Sequence, residues 1–584
     1  MKRNLKMLIC LVLSITLLVS GMLIFADNGM QKEDPRTAAK SEDDFKVVPI
    51  CEEDPKGFEQ NIDKNKDKVF DNLEKKMQEK SDSELIPVVV MFTEQPDDIK
   101  KTKVKDIVRH GKTKHEFQII PGMSAELTKQ QIKELSKLDY VMQIEYDMPV
   151  YAFNDEAAYW FGARKAVDDF GVDGDRDGNP RSYTAEDIVI AVIDTGIDAN
   201  HVDLDGGKVI GWKDYVNNRT TPYDDNGHGT HCASTAAGEG DGNSNYKGVA
   251  PGAALVGVKV LDRNGSGYMS DVTAGIDWAI ANKNTYGIEI ISLSLGTSSS
   301  SDGTDSTSLA VNRAFDNGIV VMVAAGNSGP ARYTIGSPGA AEKAITVGAM
   351  GDVGEAGFNL TYFSSRGPTA DGRIKPDIAA PGYNITAAKA NTSSSYVSYS
   401  GTSMATPFTA GTAALMLDAN PGLTPSQIRD KLTATALDWG PSGKEVDYGF
   451  GRLDAYAAVK SAGGFSGTNI AVPDHMYTSQ SLSARRKSDY WEFNVTNTSY
   501  PIAITFIMPD WSGSSKPDFD IYLYNPNGTK VASALGTKRQ ETINYTPTMP
   551  GTYTIRVYSY AGSGSYYFDL STGGNSLVLT DNDI

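Results

Sequence analysis

Ile188-Val189-Ile190-Ala191-Val192-Ile193, followed at once by Asp194-Thr195-Gly196-Ile197-Asp198, is the stretch on which the fold turns. Five of its six apolar residues are β-branched, which favours an extended backbone. A strand points alternate side chains to opposite faces, so an unbroken apolar run is buried on both. Ala254-Leu255-Val256-Gly257-Val258-Lys259-Val260, Ile288 to Leu295 and Gly318 to Ala324 have the same texture. A helical pattern runs from Met269 to Ile280, between two of them. Strands alternating with helices predict an α/β domain, a parallel sheet with helices on both faces, expected over residues 155–463.

On either side of this domain the texture changes. Upstream, a buried-strand pattern at Ile86 to Phe92, then Phe117-Gln118-Ile119-Ile120, a helical pattern at Thr128 to Leu135 and a strand at Tyr140 to Tyr146 predict a small α+β unit over 84–154. Downstream of Gly463-Gly464, period-two alternation appears at Trp491 to Val495, Phe519 to Tyr524 and Tyr553 to Tyr558, with a turn at Asn525-Pro526-Asn527-Gly528. This predicts an all-β sandwich over 464–584. Residues 27–83 are charged and polar and read as a linker with at most one short amphipathic helix.

The chain begins Met1-Lys2-Arg3 and runs into apolar residues from Met7 to Ala26. A basic start, an apolar stretch and small residues at its end predict a signal peptide over 1–26 and a secreted, extracellular product. An uncleaved anchor is the other reading, and only that reading gives a membrane association. The net charge of −18 leaves no basic footprint for nucleic acid. Of three cysteines, Cys10, Cys51 and Cys232, two would outlast signal removal, too few for a disulfide scaffold.

Three segments at or near strand ends bear reactive side chains. Asp194 sits in the turn after the first buried run, where open α/β sheets place function, although an Asp beside Gly also reads as a plain turn residue. Asn226-Gly227-His228-Gly229-Thr230-His231-Cys232-Ala233 brings two of the chain's six histidines within four positions. A metal pair would need a further ligand at a suitable spacing, and none is present; His231 reads as a packed helix residue. In Ser400-Gly401-Thr402-Ser403-Met404-Ala405-Thr406-Pro407, the proline is expected in the first turn of a helix, which puts Ser403 at its N-terminus. A serine hydroxyl becomes a nucleophile when a histidine takes its proton and a buried carboxylate orients that histidine.

These segments, in the order Asp, His, Ser, resemble the signatures of the subtilisin-like serine peptidase (subtilase) family. The resemblance implies a serine endopeptidase acting on proteins or peptides, with Asp194 orienting His228, His228 as base and Ser403 as nucleophile. It makes Asn327, in Ala325-Gly326-Asn327-Ser328, a donor to the oxyanion. It implies that an extended peptide lies between Gly265-Ser266-Gly267 and Ser294-Leu295-Gly296. The primary pocket would be bounded by the latter and by Ala324-Ala325-Gly326, with Gly336 at its base. No acidic residue stands at these positions, so apolar or broad preference is expected. Ser234 stands where the family usually has Gly, and Cys232 resembles the thiol of the proteinase K branch, as a buried apolar residue.

Calcium is the expected cofactor. Asp173, Asp175, Asp177 and Gly178 follow the start of an oxygen-ligand loop, with Thr184 at its twelfth position. Asp203, in His201-Val202-Asp203-Leu204, resembles a calcium-binding segment of subtilisin. The unit at 84–154 resembles the subtilase propeptide, which implies an inhibitor and folding aid released by self-processing. The β unit resembles pre-peptidase C-terminal domains, removed or substrate-binding in the family. A monomer is expected. The rival expectation is an inactive subtilase scaffold that binds a surface through its sandwich.

Overall fold

The computed structural model describes residues 65–109, 111–116, 121–146, 157–180, 182–355, 357–511 and 516–584. The apolar run at 7–26, Cys10, Cys51, Phe117–Ile120 and the tail Asp147–Asn154 lie outside the described residues. All described residues belong to one unit, Val47–Ile584. No helix among them is long and apolar enough to cross a membrane.

In the N-terminal part, β1 (Ile86–Phe92), β2 (Lys112–Glu116), β3 (Gly122–Leu127) and β4 (Val141–Tyr146) form a sheet in the order β2-β3-β1-β4. Strand β1 pairs antiparallel with both β3 and β4. Its alternate residues Ile86, Val88, Val90 and Phe92 are buried. They share a core with Ile132 and Leu135 of the helix Lys129–Ser136. Thr128 starts that helix with a capping box closed by Gln131, which satisfies two amides that would otherwise lack partners. The helix Asp98–Val108 was not anticipated: of its eleven residues only Val104 and Val108 are buried, so its sequence shows little apolar periodicity.

The central sheet has seven strands: β5 (Val189–Asp194), β6 (Val209–Asp214), β7 (Ala254–Lys259), β8 (Ile288–Leu293), β9 (Val320–Ala324), β10 (Ile345–Met350) and β11 (Ile378–Pro381). Their order is β11-β10-β9-β8-β5-β7-β6, and every pairing is parallel. All six residues of β5 are buried, and they divide between two cores. Ile190 and Val192 face the core shared with helices α1 (His228–Ala237) and α4 (Thr402–Ala419). Val189, Ala191 and Ile193 face the core shared with α2 (Met269–Ala281) and α3 (Ser306–Asp316). Burying each valine or isoleucine of β5 contributes about 1.5–3 kcal/mol, and both faces of the strand are covered up to Asp194. The chain goes from β5 out to one edge and then back past it to the other. That reversal opens a crevice at the carboxyl end of β5, where ligands bind in open α/β sheets.

A short hairpin, β12 (Ile385–Ala388) and β13 (Tyr396–Tyr399), precedes α4. After the helix Ala455–Gly463 come nine strands: β14 (Asp474–Leu482), β15 (Ser488–Val495), β16 (Ile502–Ile507), β17 (Asp518–Tyr524), β18 (Lys530–Ala534), β19 (Gln540–Tyr545), β20 (Gly551–Ala561), β21 (Gly564–Thr572) and β22 (Gly574–Asp581). They form antiparallel sheets ordered β14-β21-β16-β19 and β18-β17-β20-β15-β22, around a shared aromatic and aliphatic core. The expectations named β15, β17 and β20. The other six were missed, β14 and β18 because they present few apolar residues.

Two expectations are corrected. The linker expected over 27–83 does not hold in its described part: the helix Asp71–Glu79 places Leu73 and Met77, with Val69 before it, in the core of the N-terminal sheet. Pro407 is not in the first turn of α4 but is its sixth residue. Its missing N–H would have served the carbonyl of Ser403, four residues earlier. Ser294 Oγ donates to that carbonyl instead at 2.8 Å, and Cys232 Sγ at 3.4 Å. The helix stays intact because two side chains replace one amide.

Candidate active site

Asp194 ends β5 at the crevice and His228 begins α1. Close packing joins them. Gly229 lies so near the loop after β5 that a Cβ there would stand 2.2 Å from the carbonyl of Gly196. The first amides of α1 are satisfied by side chains: Thr195 Oγ1 accepts from Gly229 at 2.8 Å, and Asp224 Oδ2 from Thr230 at 2.9 Å. His228 Nδ1 then lies 2.8 Å from Asp194 Oδ1, which also accepts the Thr195 amide at 2.7 Å. The carboxylate is 1% exposed, the imidazole 27%. Burial pulls the imidazole pKa down, but the adjacent carboxylate reverses this, and the net direction is well above the ordinary 6.5. With Nδ1–H donated to Asp194, Nε2 is the basic atom.

His231 is a structural neighbour, as its sequence position predicts. Its Nε2–H donates to the carbonyls of Ile385 at 2.9 Å and Val397 at 3.1 Å, and burial pushes its pKa down to about 3. It is a neutral pin between α1 and the hairpin β12–β13. Ser234, where a glycine was the expected pattern, accepts the amide of Ala388 on its hydroxyl at 3.2 Å. Cys232 is fully buried, its Sγ 3.9 Å from His228 Nδ1. Burial raises its pKa, so it is a protonated thiol.

Ser403 is the second residue of α4 and partly exposed. Its hydroxyl donates to the carbonyl of Ser294 at 3.2 Å rather than to His228. Such bonds are often loose before substrate arrives and tighten with it. Asn327 follows β9 by three residues. Its Oδ1 accepts from the Thr402 amide at 2.9 Å and from Thr402 Oγ1 at 3.0 Å. That fixes the amide plane and leaves the Nδ2 hydrogens for another acceptor. Gly401 marks the space they border. A Cβ on Gly401 would stand 3.3 Å from Asn327 Nδ2 and 3.5 Å from the Ser403 amide nitrogen, so two donors flank a volume that only glycine leaves open. Thr402 had no separate signal in the sequence beyond its place beside Ser403.

The expected peptide-binding edges stand where strands of the sheet end. Gly265, Ser266 and Gly267 are exposed in a loop after β7, and Ser294, Leu295 and Gly296 directly follow β8. Ala325 shares a small apolar cluster with Ile335 and Ala340, next to Gly336. A Cβ on Gly336 would meet the carbonyl of Thr297 at 2.1 Å, which holds the two walls close together.

The acidic loop before β5 is arranged differently from its sequence reading. Asp175 and Asp177 gather with Asp187, their carboxylate oxygens all within 4.8 Å. Asp173 is not of this group; its Oδ1 accepts the Asp175 amide at 3.0 Å. Thr184 donates to Asp177 Oδ2 at 3.4 Å. Burial raises the Asp175 pKa, and repulsion from Asp187, Asp173 and Asp177 raises it further. Three converging carboxylates fit an oxygen-seeking cation such as calcium. Asp203 is also outside this group. It is buried, and Tyr396 donates to its oxygens at 3.0 and 3.1 Å, Gly242 at 3.1 Å.

Comparison with known proteins finds matches to three parts of the chain. Residues 185–451 match the model of the subtilase family, 64–131 a Tk-SP N-propeptide domain, and 487–559 a bacterial pre-peptidase C-terminal domain. The chain is 40% identical over 374 residues to serine protease AprX of Bacillus subtilis (strain 168), covering 60% of this chain and 82% of that protein. It is 34% identical over 396 residues to subtilisin E of the same organism, covering 67% and 94%. It is 38% identical over 328 residues to a thermostable alkaline protease of Halalkalibacterium halodurans, covering 56% and 80%.

Proposed function

This chain belongs to the subtilase family of serine endopeptidases, and on that premise we propose that Asp194, His228 and Ser403 form its catalytic triad. An extended peptide lies between Gly265-Ser266-Gly267 and Ser294-Leu295-Gly296, adding its backbone as a strand. Its P1 side chain enters between Leu295-Gly296 and Ala324-Ala325-Gly326, over Gly336. Ser403 Oγ turns from the Ser294 carbonyl to the scissile carbon and passes its proton to His228 Nε2. The new C–O bond leaves a negative oxygen, which Asn327 Nδ2–H and the Ser403 amide receive. The C–N bond then breaks, His228 returns the proton to the amine, and water releases the acyl group from Ser403 by the same steps.

The observation that supports this most is the buried carboxylate–imidazole bond of 2.8 Å at the rim of the crevice, with Ser403 at the start of the neighbouring helix. The apolar, acid-free lining favours apolar or broad P1 preference. The N-terminal run 1–26 is a signal peptide and the enzyme is secreted, with the propeptide inhibiting it until self-processing. Asp175, Asp177 and Asp187 would hold a calcium ion, whose charge would offset theirs in the loop that leads into β5. Casein hydrolysis with Ser403→Ala tests the assignment. The variant should fold, and turnover should fall to a residue still about 10³–10⁴ above the rate in water. Near-normal hydrolysis by folded Ser403→Ala would falsify it.

A further inference from the structure

The loop that carries Asn327 is gripped from behind. Ser365 donates its amide to the Gly326 carbonyl at 2.8 Å and accepts from the Ser328 amide at 3.1 Å on its hydroxyl. The Gly329 amide donates to the Phe363 carbonyl at 2.8 Å. Thr334, further along the same loop, exchanges bonds with Arg366: its amide donates to the Arg366 carbonyl at 2.9 Å and its hydroxyl accepts the Arg366 amide at 2.7 Å. The segment 361–367 is thus a backing for the loop 326–334.

That backing is held by the β sandwich. Arg539, one residue before β19, is 1% exposed. Its guanidinium forks onto Asp447 of the peptidase part at 2.5 and 2.9 Å, and donates to the carbonyl of Pro330 in the Asn327 loop at 3.2 Å. Gln540, beside it, accepts from Arg366 at 2.6 Å and donates to the Leu360 carbonyl at 2.6 Å. Tyr567 of β21 donates to Asp447 Oδ2 at 2.5 Å. All four side chains and Arg366 are buried. A buried charge-assisted fork is strong and directional, and it fails sharply when one member is removed.

We propose that Arg539 is a positioning residue for the oxyanion loop, so that the C-terminal β sandwich is a working part of the active enzyme. This rests on the reading of Asn327 as oxyanion donor. Arg539 touches no substrate; it acts through Pro330 and through the segment 361–367, which together set where Asn327 Nδ2 points. A displacement well under 1 Å is enough to matter at such a donor.

The test is a double-mutant cycle in the full-length enzyme, with kcat and KM measured on one soluble peptide substrate. Arg539→Lys keeps the charge opposite Asp447 but loses the fork and the bond to Pro330. It should lower kcat about 10-fold while KM changes less than about 3-fold, with a melting curve that still shows a folded protein. Asn327→Ala should lower kcat by about 10²–10³. In the Asn327→Ala background the Arg539→Lys effect should shrink below about 2-fold, because the donor it positions is gone. Tyr567→Phe, a milder cut in the same network, should lower kcat about 3-fold and covers the case in which Arg539→Lys does not fold. A wild-type kcat in the folded variants, or an undiminished Arg539 effect without Asn327, overturns the proposal. Full turnover by Asn327→Ala would instead overturn the oxyanion reading on which it stands.

Discussion

Ser403 and Pro407, one helical turn apart in α4, make one arrangement with Ser294 and Cys232, which are distant from them in the chain. Because Pro407 cannot donate, the carbonyl of Ser403 is tied to β8 through Ser294 and to α1 through Cys232. Ser403, the proposed nucleophile, is therefore fixed from its main chain while its hydroxyl stays able to turn. His228 has the opposite character, since its position is set and its proton is the variable. Only the deprotonated imidazole can act as base. Its pKa lies above 6.5 through Asp194, so kcat/KM should rise with pH through a midpoint above 6.5. Asp194→Asn removes the raising charge and leaves the burial that lowers it. Turnover should fall by about 10⁴, and the midpoint of the remaining activity should move to lower pH. A pH–rate profile of both enzymes checks this, and an unmoved midpoint counts against the pairing. The sequence offered Asp194, His228 and Ser403 as candidates through the order of their three segments rather than through any one segment alone. It did not disclose Thr402 as the residue that orients Asn327, since that role depends on a bond across 75 positions.

The loop that leads into β5 shows why element boundaries matter. Its acidic spacing is visible from Asp173 to Asp177, but the third member of the cluster is Asp187, directly before the buried run. Thr184 at position twelve diverts a reading based on linear ligand loops, because this loop closes on a strand rather than on a helix. With Asp175, Asp177 and Asp187 converging, a bound cation should stabilise the fold by mass action. Excess chelator should lower the melting temperature, and calcium should restore it. In Asp187→Asn the chelator-dependent shift should be smaller. Equal shifts in both proteins would show that the stabilising ion binds elsewhere. The strands β5, β7, β8 and β9 of the central sheet were legible as apolar runs, whereas β10 and β11, buried at every residue as well, were missed because Thr346, Gly348 and the alanines of β11 interrupt or dilute the run. Edge strand β6, with Trp212, Lys213 and Asp214, carries no such pattern and was missed. In the sandwich, β15, β17 and β20 were legible from their alternation, but β21 was missed although it carries Tyr566, Tyr567 and Phe568, because it is buried almost continuously instead of alternating; β14 has only four of its nine residues partly buried and one buried.

Across the whole molecule, one parallel sheet is assembled from strands spread over nearly two hundred residues, Val189 to Pro381. Non-local pairings of this kind form slowly, because loop closure precedes any gain from contact. The N-terminal sheet has its own core and lies in a segment that matches an N-propeptide domain, which suits the folding-aid role expected of it. If the chain cuts itself, cleavage should fall at about residues 148–158, in the tail after β4, and its rate should not change on dilution, as for a tethered substrate. Ser403→Ala, purified free of other proteases, should keep an N-terminus near Asp27 while the active enzyme starts near residue 155. N-terminal sequencing showing both proteins starting near 155 would assign the cut to another protease. The organisation into three parts was readable because each has its own periodicity, but their joining was not, because Asp447, Arg539 and Tyr567 are unremarkable in isolation and meet only when folded. Those three residues also decide what can be transplanted. A protein engineer who grafts this sandwich onto another peptidase, or trims it at Gly463-Gly464, separates Arg539 from the carboxylate it was buried with. The exchangeable cassette is therefore larger than the C-terminal domain: it must travel with the Asp447 loop and the 361–367 segment, or the recipient must supply their equivalents.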